Sequence, residues 1–393
     1  MSKIIMHIDL NCFFARAQVI KEPELEGKPL IVAGANRRGI VTSASYEARK
    51  YGIRAAMPTY MAKRLCPDVI VRHGDFSLYQ ELSARFFSYI RRYTEVIEIA
   101  SIDECFADMT SCMNGCLNPE SFLKELQDNL FKETNLMCSI GLAPTKFLAK
   151  MASDYRKPMG ITILRRKDIP KMLWPIPIRE MYGIGKKTWP RLEEMNVRTI
   201  GDLAHNSSPD VKKRLGKFYD VLKDWANGYG SDEVITEVSD PKSIGNSTTF
   251  LFDTDDYDEI RAMIYQKAHD VSRRAKKEGK IGSTISLNVK DSEFHAFSRS
   301  VTIGIPTDEA EDIYNHAVRL YDASFASLSL RLVGVTLSNL SNKKDFCVQM
   351  SLFDIEQHRE QCATKLLIDE LNRKYKKKVF IKASELKESG NGN

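Results

Sequence analysis

The sequence predicts an α+β protein built from several domains, and three observations lead to that class. A chain of 393 residues is too long for one ordinary hydrophobic core and indicates roughly two to four domains. Short segments that alternate in polarity, which is typical of strands, occur between segments with helical spacing of apolar residues. Residues 248–340 follow the order strand, helix, strand, strand, helix, strand, which is a ferredoxin-like βαββαβ unit.

Composition excludes several classes of protein. With 43% hydrophobic and 28% charged residues, the chain is typical of a globular protein rather than a disordered or fibrous one. No apolar run approaches the roughly eighteen residues of a membrane-spanning helix, and Asp9 falls inside the stretch that a signal peptide would keep apolar. The eight cysteines have neither disulfide-framework nor zinc-site spacing. We therefore expect a cytoplasmic protein with mostly reduced thiols and no membrane contact.

Basic residues are concentrated in one part of the chain. The whole sequence has a net charge of +6, and residues 165–231, with 14 Lys and Arg against 8 Asp and Glu, carry a net +6 by themselves. A local excess of this kind fits a surface that faces phosphate groups. A solvated basic face is the alternative, because such faces are common on proteins.

The N-terminal part predicts a sheet that carries three acidic residues. Residues 3–11 alternate in polarity, which is typical of a short strand with Asp9 on its polar face. Apolar residues at helical spacing over 79–93 predict a helix that covers the sheet. Residues 95–107 then predict a hairpin with Asp103 and Glu104 at or near its turn.

These three carboxylates form a candidate metal site. Mg²⁺ prefers one or two carboxylates together with phosphate and water oxygens. Two such ions, roughly 4 Å apart, stabilise both the attacking and the leaving oxygen of an in-line displacement. From the residues alone the alternative stays open that the three acids cap turns or pair with surface Arg and Lys.

A second set of polar residues suits a triphosphate. Tyr46 and Arg49 are three residues apart and share a face if their segment is helical. A phenol and a guanidinium placed together could clamp phosphates, with Arg49 forming two parallel hydrogen bonds. Lys157, which follows a predicted helix over 145–155, would add a point charge.

Two further segments look like connections. Residues 174–177 contain two prolines and are followed by Gly183, Gly185 and Lys186, which open a short helical region. The polar residues around 230–243 are typical of a linker.

The βαββαβ unit is the most regular part of the sequence. Its predicted elements are a strand (248–252), a helix (258–277), two strands (283–290 and 298–305), a helix (308–327) and a strand (331–340). Apolar residues of three strands lie on one face, which both helices can cover; they are Ile285, Leu287, Val289, Val301, Ile303, Ile305, Val333, Val335 and Leu337. The other face, with Ser286, Lys290 and Ser300, is rich in small polar groups. It is suited to the backbone of a nucleic acid, or it is an ordinary solvated face.

Five short segments, taken in order, resemble the signatures of one enzyme family. They are HIDLNCFF (7–14), SYEAR (45–49), SIDE (101–104), KPMG (157–160) and GIG (183–185). Together they resemble the Y-family translesion DNA polymerases, in the branch of bacterial DNA polymerase IV, over about residues 3–353. Each segment is weak evidence by itself, and it is the shared order and spacing that makes the resemblance specific.

The resemblance implies the architecture of a right hand with palm, fingers, thumb and little finger. The implied boundaries are a catalytic palm (1–9 and 75–164), fingers (10–74), a helical thumb with a helix-hairpin-helix (165–231), a linker (232–243) and a little finger (244–342). The βαββαβ unit falls where the little finger is expected.

The resemblance also implies a metal site. In the family, acids at the positions of Asp9, Asp103 and Glu104, with the backbone carbonyl at the position of Leu10, bind two Mg²⁺ ions, for which Mn²⁺ is an expected substitute. The chain departs from the family pattern at Asn11, where the family often has a second acid. That acid is not a principal metal ligand in the family, so we expect an active site whose metal affinity Asn11 could alter.

The implied substrate residues surround the same site. Phe14 matches the steric gate, an aromatic wall that rejects the 2′-hydroxyl of ribonucleotides, and Phe13 packs beside it. The residues that match contacts to the incoming triphosphate are Ser43, Tyr46, Arg49 and Lys157. Contacts with the DNA are expected at Gly183, Gly185, Lys186, Ser286, Lys290 and Ser300.

The segment after the last strand resembles a docking peptide. Residues 347–353 contain Gln349, Leu352 and Phe353 in the pattern by which bacterial polymerases bind the sliding clamp, their β subunit. Leu352 and Phe353 would fill an apolar pocket and Gln349 would form a hydrogen bond at its edge. Residues 354–393 form a C-terminal extension, for which DNA contact through its lysines and a solvated tail are the alternatives.

The function implied is template-directed, error-prone DNA synthesis past damaged bases by a monomer without a proofreading exonuclease. A primer 3′-hydroxyl on primer–template DNA would attack the α-phosphate of a dNTP, in a roomy site beside Ala55 and Ala56. One alternative is a non-catalytic clamp- or DNA-binding accessory of the same descent, which would be free to lose its metal ligands. Another is a different palm-type nucleotidyl transferase or cyclase, which would need neither the GIG segment nor a clamp peptide.

Overall fold

The computed structural model describes residues 3–237 and 239–346. The strands are β1 (Ile5–Leu10), β2 (Leu30–Ala33), β3 (Val41–Ala44), β4 (Ile70–Arg72), β5 (Ile97–Ile99), β6 (Glu104–Asp108), β7 (Cys138–Ala143), β8 (Ile161–Ile163), β9 (Ser243–Thr254), β10 (Lys280–Asp291), β11 (Ala296–Thr307) and β12 (Leu330–Asn342). The helices are α1 (Phe13–Lys21), α2 (Tyr46–Lys50), α3 (Thr59–Leu65), α4 (Phe76–Ile90), α5 (Pro119–Thr134), α6 (Lys146–Tyr155), α7 (Ile169–Met172), α8 (Trp189–Glu194), α9 (Ile200–Ala204), α10 (Pro209–Leu215), α11 (Phe218–Ala226), α12 (Tyr257–Lys277) and α13 (Ala310–Ser324). Within these ranges every helix is too short or too polar to cross a membrane.

The chain divides into two compact units, with the boundary between Asp240 and Pro241. This boundary lies inside the segment that the sequence predicts as a linker. Two residues near the start of that region are hydrogen-bonded to the rest of the first unit. Lys146 donates its backbone N–H to Ser231 O at 2.9 Å, and the N–H of Ile235 donates to Glu98 Oε2 at 2.9 Å.

The first unit is organised around a five-stranded sheet in the order β5-β6-β1-β7-β8. The central strand β1 pairs antiparallel with both β6 and β7. Ile5, Met6, His7 and Ile8 of β1 are fully buried, because helices cover both faces of the sheet around this strand. The predicted strand and hairpin are confirmed, and they place the acidic residues at one end of the sheet.

The helix predicted over 79–93 begins and ends three residues earlier, at Phe76 and Ile90. Its start is set by Asp75, whose side chain accepts a hydrogen bond from the backbone N–H of Leu78 and so caps the first turn. The apolar pattern continued to Tyr93 because this residue packs against Tyr89 from the turn that follows the helix.

Two smaller parts complete the first unit. A three-stranded sheet in the order β3-β2-β4 lies within residues 30–72 and has a small core of its own, which includes Ile31, Val41 and Ile53. Residues 165–231 contain only short helices and turns, which pack through buried residues such as Leu192. The six described cysteines are free thiols.

The second unit has a four-stranded antiparallel sheet in the order β11-β10-β12-β9 with α12 and α13 on one face. The fourth strand, β12, lies between the first and the second, so that the βαβ connection is split as predicted. Ile285, Leu287 and Val335 are buried under the helices. The expectation for Ile305 is wrong, because it is 58% exposed. The pairing of β10 with β11 shifts between Gly282 and Thr284, and Ile305 lies in the bulge that results.

Candidate active site

Three acidic residues lie near one another at one end of the central sheet. Asp9, near the end of β1, lies directly opposite Glu104, the first residue of β6. The backbone N–H of Leu10 donates to the carbonyl oxygen of Asp103 at 2.9 Å, which holds the β5–β6 turn against β1. Strand pairing therefore brings together acids that are distant in sequence.

Two lysines from α6 and the loop after it neutralise part of this charge. The ammonium of Lys150 lies 3.1 Å from Asp9 Oδ2 and 2.7 Å from Glu104 Oε2. The ammonium of Lys157 lies 2.8 Å from Asp9 Oδ1 and 2.7 Å from Asp154 Oδ1. Burial alone would lower the pKa of Lys150, but the carboxylates of Asp9, Asp154 and Glu104 outweigh burial and raise it.

Sequence reasoning included Lys157 but missed Lys150 and Asp154. The available signal was their spacing, because residues 150 and 154 lie one turn apart on the predicted helix 145–155 and 157 follows about one turn later. These charged residues form a stripe along a helix that is expected to pack against the sheet with the three acids. Such a stripe indicates ion-pair partners for the acids.

His7 contacts Glu104 from inside the sheet. The imidazole is fully buried, with Nδ1 2.8 Å from Ser153 Oγ and Nε2 3.4 Å from Glu104 Oε2. Burial lowers the pKa of His7. The His7 imidazole and the Lys150 ammonium together hold the pKa of the Glu104 carboxyl well below its usual range.

Asp103 is the acid whose charge is least balanced. Its Oδ1 accepts a hydrogen bond of 2.6 Å from the Ser101 hydroxyl, but it forms no ion pair with any described residue. Burial raises the pKa of Asp103, and the negative charges of Asp9 and Glu104 raise it further. A cation at this end of the sheet would relieve that repulsion.

The donor set therefore fits hard divalent cations. Three carboxylates supply oxygen ligands of the kind that Mg²⁺ prefers. Within residues 3–237 and 239–346 no three Asp, Glu, His or Cys side chains already converge as a metal cluster. Asp9 and Glu104 would have to exchange ammonium partners for metal ions.

A cleft of about 200 Å³ opens beside the acids and brings together the residues predicted for metal and nucleotide binding, with the exception of Glu104. Its lining residues are Asp9, Leu10, Asn11, Cys12, Phe13, Phe14, Thr42, Ser43, Tyr46, Arg49, Ala55, Asp103 and Lys157. Glu104 does not line the cleft but is joined to it through Lys150, which contacts both Glu104 and Asp9.

Tyr46 and Arg49 form one unit on α2, as their spacing predicts. Ser45 begins this short helix by accepting a hydrogen bond from the N–H of Ala48. The guanidinium carbon of Arg49 lies 4.6 Å from the centroid of the Tyr46 ring. The Tyr46 hydroxyl is buried without a hydrogen-bond partner among the described residues, and burial raises its pKa to about 12. A phosphate oxygen would provide the missing partner.

Phe14 forms one wall of the cleft. Its ring stacks on Tyr79, with centroids 4.4 Å apart and planes at 23°, while Phe13 is buried in the core beside both. Ser43 is buried, and its Oγ accepts a hydrogen bond from the N–H of Ala15 at 3.4 Å. The cleft wall is therefore tied to the start of α1.

Asn11 has a structural role that the sequence pattern did not indicate. Its side chain is 1% exposed; Nδ2 donates to Ser139 Oγ at 3.0 Å, and Oδ1 accepts from the N–H of Met159 at 2.8 Å. An aspartate could accept from Met159 and from the Ser139 hydroxyl, but it could not donate to Ser139. Asn11 thus ties β1 and β7 to the loop that carries Lys157.

The residues proposed to contact DNA lie outside the cleft. Gly183, Gly185 and Lys186 are exposed in the turn before α8, where Gly183 has a left-handed φ of 92°. In the second unit Ser286 lies opposite both Ser300 and Thr336 on the open sheet face. Lys290 is half-buried at the far end of the same strand. Gln349, Leu352 and Phe353 lie outside the described residues, as do residues 354–393.

Comparison with known proteins gives a consistent result along the chain. Residues 8–154 match the impB/mucB/samB family, residues 166–197 match the IMS family HHH motif, and residues 241–352 match the impB/mucB/samB family C-terminal domain. Similar proteins include a DNA polymerase IV of Bacillus anthracis, 39% identical over 98% of this chain and 94% of the relative. The DNA polymerase IV 1 of Bacillus subtilis is 38% identical over the same shares.

A solved structure agrees with the sequence comparisons. The chimera Dbh-Dpo4(243-245)-Dbh of Y-family DNA polymerases matches with a TM-score of 0.77 and 25% identity, over 86% of this chain and 99% of the chimera. The right-hand fold class expected from the sequence is confirmed. The chain therefore belongs to the Y-family (impB/mucB/samB) DNA polymerases, in the branch of bacterial DNA polymerase IV.

Proposed function

We propose that this DNA-directed DNA polymerase carries out error-prone translesion synthesis with two divalent metal ions held by Asp9, Asp103 and Glu104. The observation that carries the proposal is the single cleft in which carboxylates for cations lie next to Tyr46 and Arg49, a pair suited to phosphate. The cleft is lined by residues from distant parts of the chain that suit metal and nucleotide binding.

The side chains divide the reaction between them. Asp9, Asp103, Glu104 and the carbonyl of Leu10 would hold two Mg²⁺ ions, or Mn²⁺, which supply stabilisation of the attacking and leaving oxygens when bound. The Tyr46 hydroxyl and the Arg49 guanidinium bind and orient the triphosphate of a dNTP. Lys157 leaves Asp9 and Asp154 to contact the phosphates, since its flexible stem allows the ammonium to move.

The same proposal identifies the binding partners of the protein. Primer–template DNA contacts the basic thumb around Gly183, Gly185 and Lys186, and the open sheet face of the second unit with Ser286, Lys290 and Ser300. Residues 347–353 bind the sliding clamp. The protein works as a monomer in the cytoplasm, without a proofreading exonuclease, and with Asn11 in place of a second acid it remains active.

Primer extension tests this function. Wild-type protein with Mg²⁺, dNTPs and primed template is expected to extend the primer, and Asp103→Ala with Glu104→Ala to abolish extension. Asp108→Ala is the matched control, because Asp108 lies at the other end of β6 and pairs with Lys3 rather than with the cleft. Extension by the double variant at the wild-type rate would refute the assigned metal ligands.

The accessory alternative makes a different prediction in the same assay. A chain that binds primer–template DNA but does not extend it, with or without the substitutions, would be a non-catalytic clamp- or DNA-binding accessory. Asn11→Asp would then be the first variant to assay for restored synthesis.

A further inference from the structure

The ammonium of Lys150 contacts two of the three carboxylates that the proposed function assigns to metal ions. Its Nζ lies 3.1 Å from Asp9 and 2.7 Å from Glu104. Lys150 is partly buried on α6, with 13% of its side chain exposed, so solvent screens these contacts little. A cation that binds Asp9 and Glu104 must share their oxygens with this ammonium or displace it.

Lys150 is also part of a closed ring of alternating charges. Asp154 lies 3.6 Å from Lys150 and 2.7 Å from Lys157, and Lys157 lies 2.8 Å from Asp9. The ring therefore runs from Lys150 through Asp9, Lys157 and Asp154 back to Lys150. Each ammonium in the ring has a second carboxylate, Asp154, to which it can remain bound if it leaves Asp9.

The local charge leaves room for divalent cations. The ring has two carboxylates and two ammonium groups, and Asp103 and Glu104 add two further carboxylates, so that a net charge of −2 remains. Without Lys150 the metal-free site would hold more closely spaced negative charge, which is unfavourable in a partly buried site.

We propose that Lys150 is a positioning residue that keeps Asp9 and Glu104 together in the metal-free enzyme and is displaced towards Asp154 when divalent ions bind. This inference rests on the metal ligands of the proposed function. It follows that Lys150 and the divalent ion compete for the same oxygens. Removing the ammonium should therefore tighten metal binding, whereas removing a residue that only supports the site would leave metal binding unchanged or weaken it.

Lys150→Met tests the competition, because methionine keeps a flexible apolar side chain and removes the charge. Mn²⁺ binding to the full chain is measured by the electron paramagnetic resonance signal of free Mn²⁺, without DNA or dNTP. We expect binding at least about tenfold tighter than in the wild type, about 1.4 kcal/mol. In EDTA we expect a lower midpoint of thermal unfolding, because the carboxylates lose their counter-charge.

Lys146→Met is the matched control. Lys146 lies one turn earlier on α6, has 19% of its side chain exposed, and pairs at 2.8 Å with Glu98, which is not a proposed metal ligand. Its substitution should lower stability in EDTA without changing Mn²⁺ affinity. Comparison of the two variants therefore distinguishes a general loss of stability, which both should show, from a change in Mn²⁺ affinity, which only Lys150→Met should show.

The outcomes separate this inference from the function on which it rests. If Lys150→Met binds Mn²⁺ as tightly as the wild type or more weakly, the proposed displacement of Lys150 is wrong, but the proposed metal ligands are not affected. If the double variant Asp9→Asn with Asp103→Asn binds Mn²⁺ as tightly as the wild type, the proposed metal ligands themselves are wrong. If Lys150→Met does not fold, the proposal is tested on the wild type instead. Its lysines are acetylated chemically with and without Mg²⁺, and the extent of modification at each lysine is measured by mass spectrometry. Mg²⁺ should increase modification of Lys150 several-fold relative to Lys146, and the absence of an increase would reject the proposal.

Discussion

At the scale of single residues, Phe14 forms a wall of the cleft, and we propose that this wall limits the space for the sugar of a nucleotide. The ring is held in place by stacking on Tyr79 and by the buried Phe13 beside it, rather than by hydrogen bonds. A rigid apolar surface at this position would contact a 2′-hydroxyl without offering it a partner, which disfavours ribonucleotides.

Phe14→Ala is expected to relax this discrimination. The preference for dNTP over rNTP in primer extension should fall by at least about tenfold, about 1.4 kcal/mol, because the wall is replaced by open space. Phe76→Ala is the control, since Phe76 belongs to the same ring cluster but does not line the cleft. An unchanged preference in Phe14→Ala would show that another side chain excludes the 2′-hydroxyl.

At the scale of elements, α6 is the helix on which the site depends. Thr145 begins it by accepting a hydrogen bond from the N–H of Leu148, and the helix then carries Lys150 and Asp154 along the edge of the acids. It can approach β7 closely because Gly141 has no side chain. A Cβ atom at Gly141 would lie 2.1 Å from Ala149 O and 2.4 Å from Ser153 N, both backbone atoms of α6.

Gly141→Ala should therefore displace the whole helix. We expect a loss of about 1–3 kcal/mol in the free energy of unfolding, as for other overpacked cores, and a larger loss of polymerase activity than stability alone explains. Gly304→Ala is the control, because a Cβ atom there would meet no atom within 4 Å. Denaturant unfolding and primer extension of both variants check the prediction, and wild-type behaviour of Gly141→Ala would contradict it.

At the scale of the whole molecule, the chemistry lies in the first unit and an open sheet face lies in the second. That face is lined by small polar groups that bond one another: Thr284 with Thr302 at 3.1 Å, Asn288 with Thr336 at 3.1 Å, and Ser298 with Asn288 at 2.8 Å. We propose that this surface contacts a phosphate backbone without selecting bases. We expect such contacts alone to give short, distributive synthesis.

The proposed clamp peptide would extend that synthesis. Leu352→Ala with Phe353→Ala should abolish the increase in product length caused by the sliding clamp, because two apolar anchors are lost. Synthesis without the clamp should stay at the wild-type level, which serves as the internal control. Clamp stimulation equal to that of the wild type would refute the assignment of residues 347–353.

Much of the fold could be predicted because local patterns depend on neighbouring residues. Alternation placed β1, an apolar stretch that begins at residue 95 placed the β5–β6 hairpin, and helical patterns placed α6 and α12 to within a few residues. The prediction that Ile305 lies on the buried face was wrong. Its alternation is that of a regular strand, whereas the bulge opposite Gly282 and Thr284 turns it to solvent. A bulge depends on the partner strand, which the residues of β11 alone do not specify.

The class of chemistry could be predicted from the sequence, since carboxylates, a Tyr–Arg pair and a family signature can be recognised from residue types and their order and spacing along the chain. Which charges come together could not be predicted in this way, because it depends on how the chain folds. Lys150 binds Asp9 and Glu104, and Asn11 binds Ser139 and Met159, because strand pairing and the close packing of α6 bring distant residues within hydrogen-bond distance. Electrostatic contacts depend on distances in space, and those distances are set by the packing of the whole sheet.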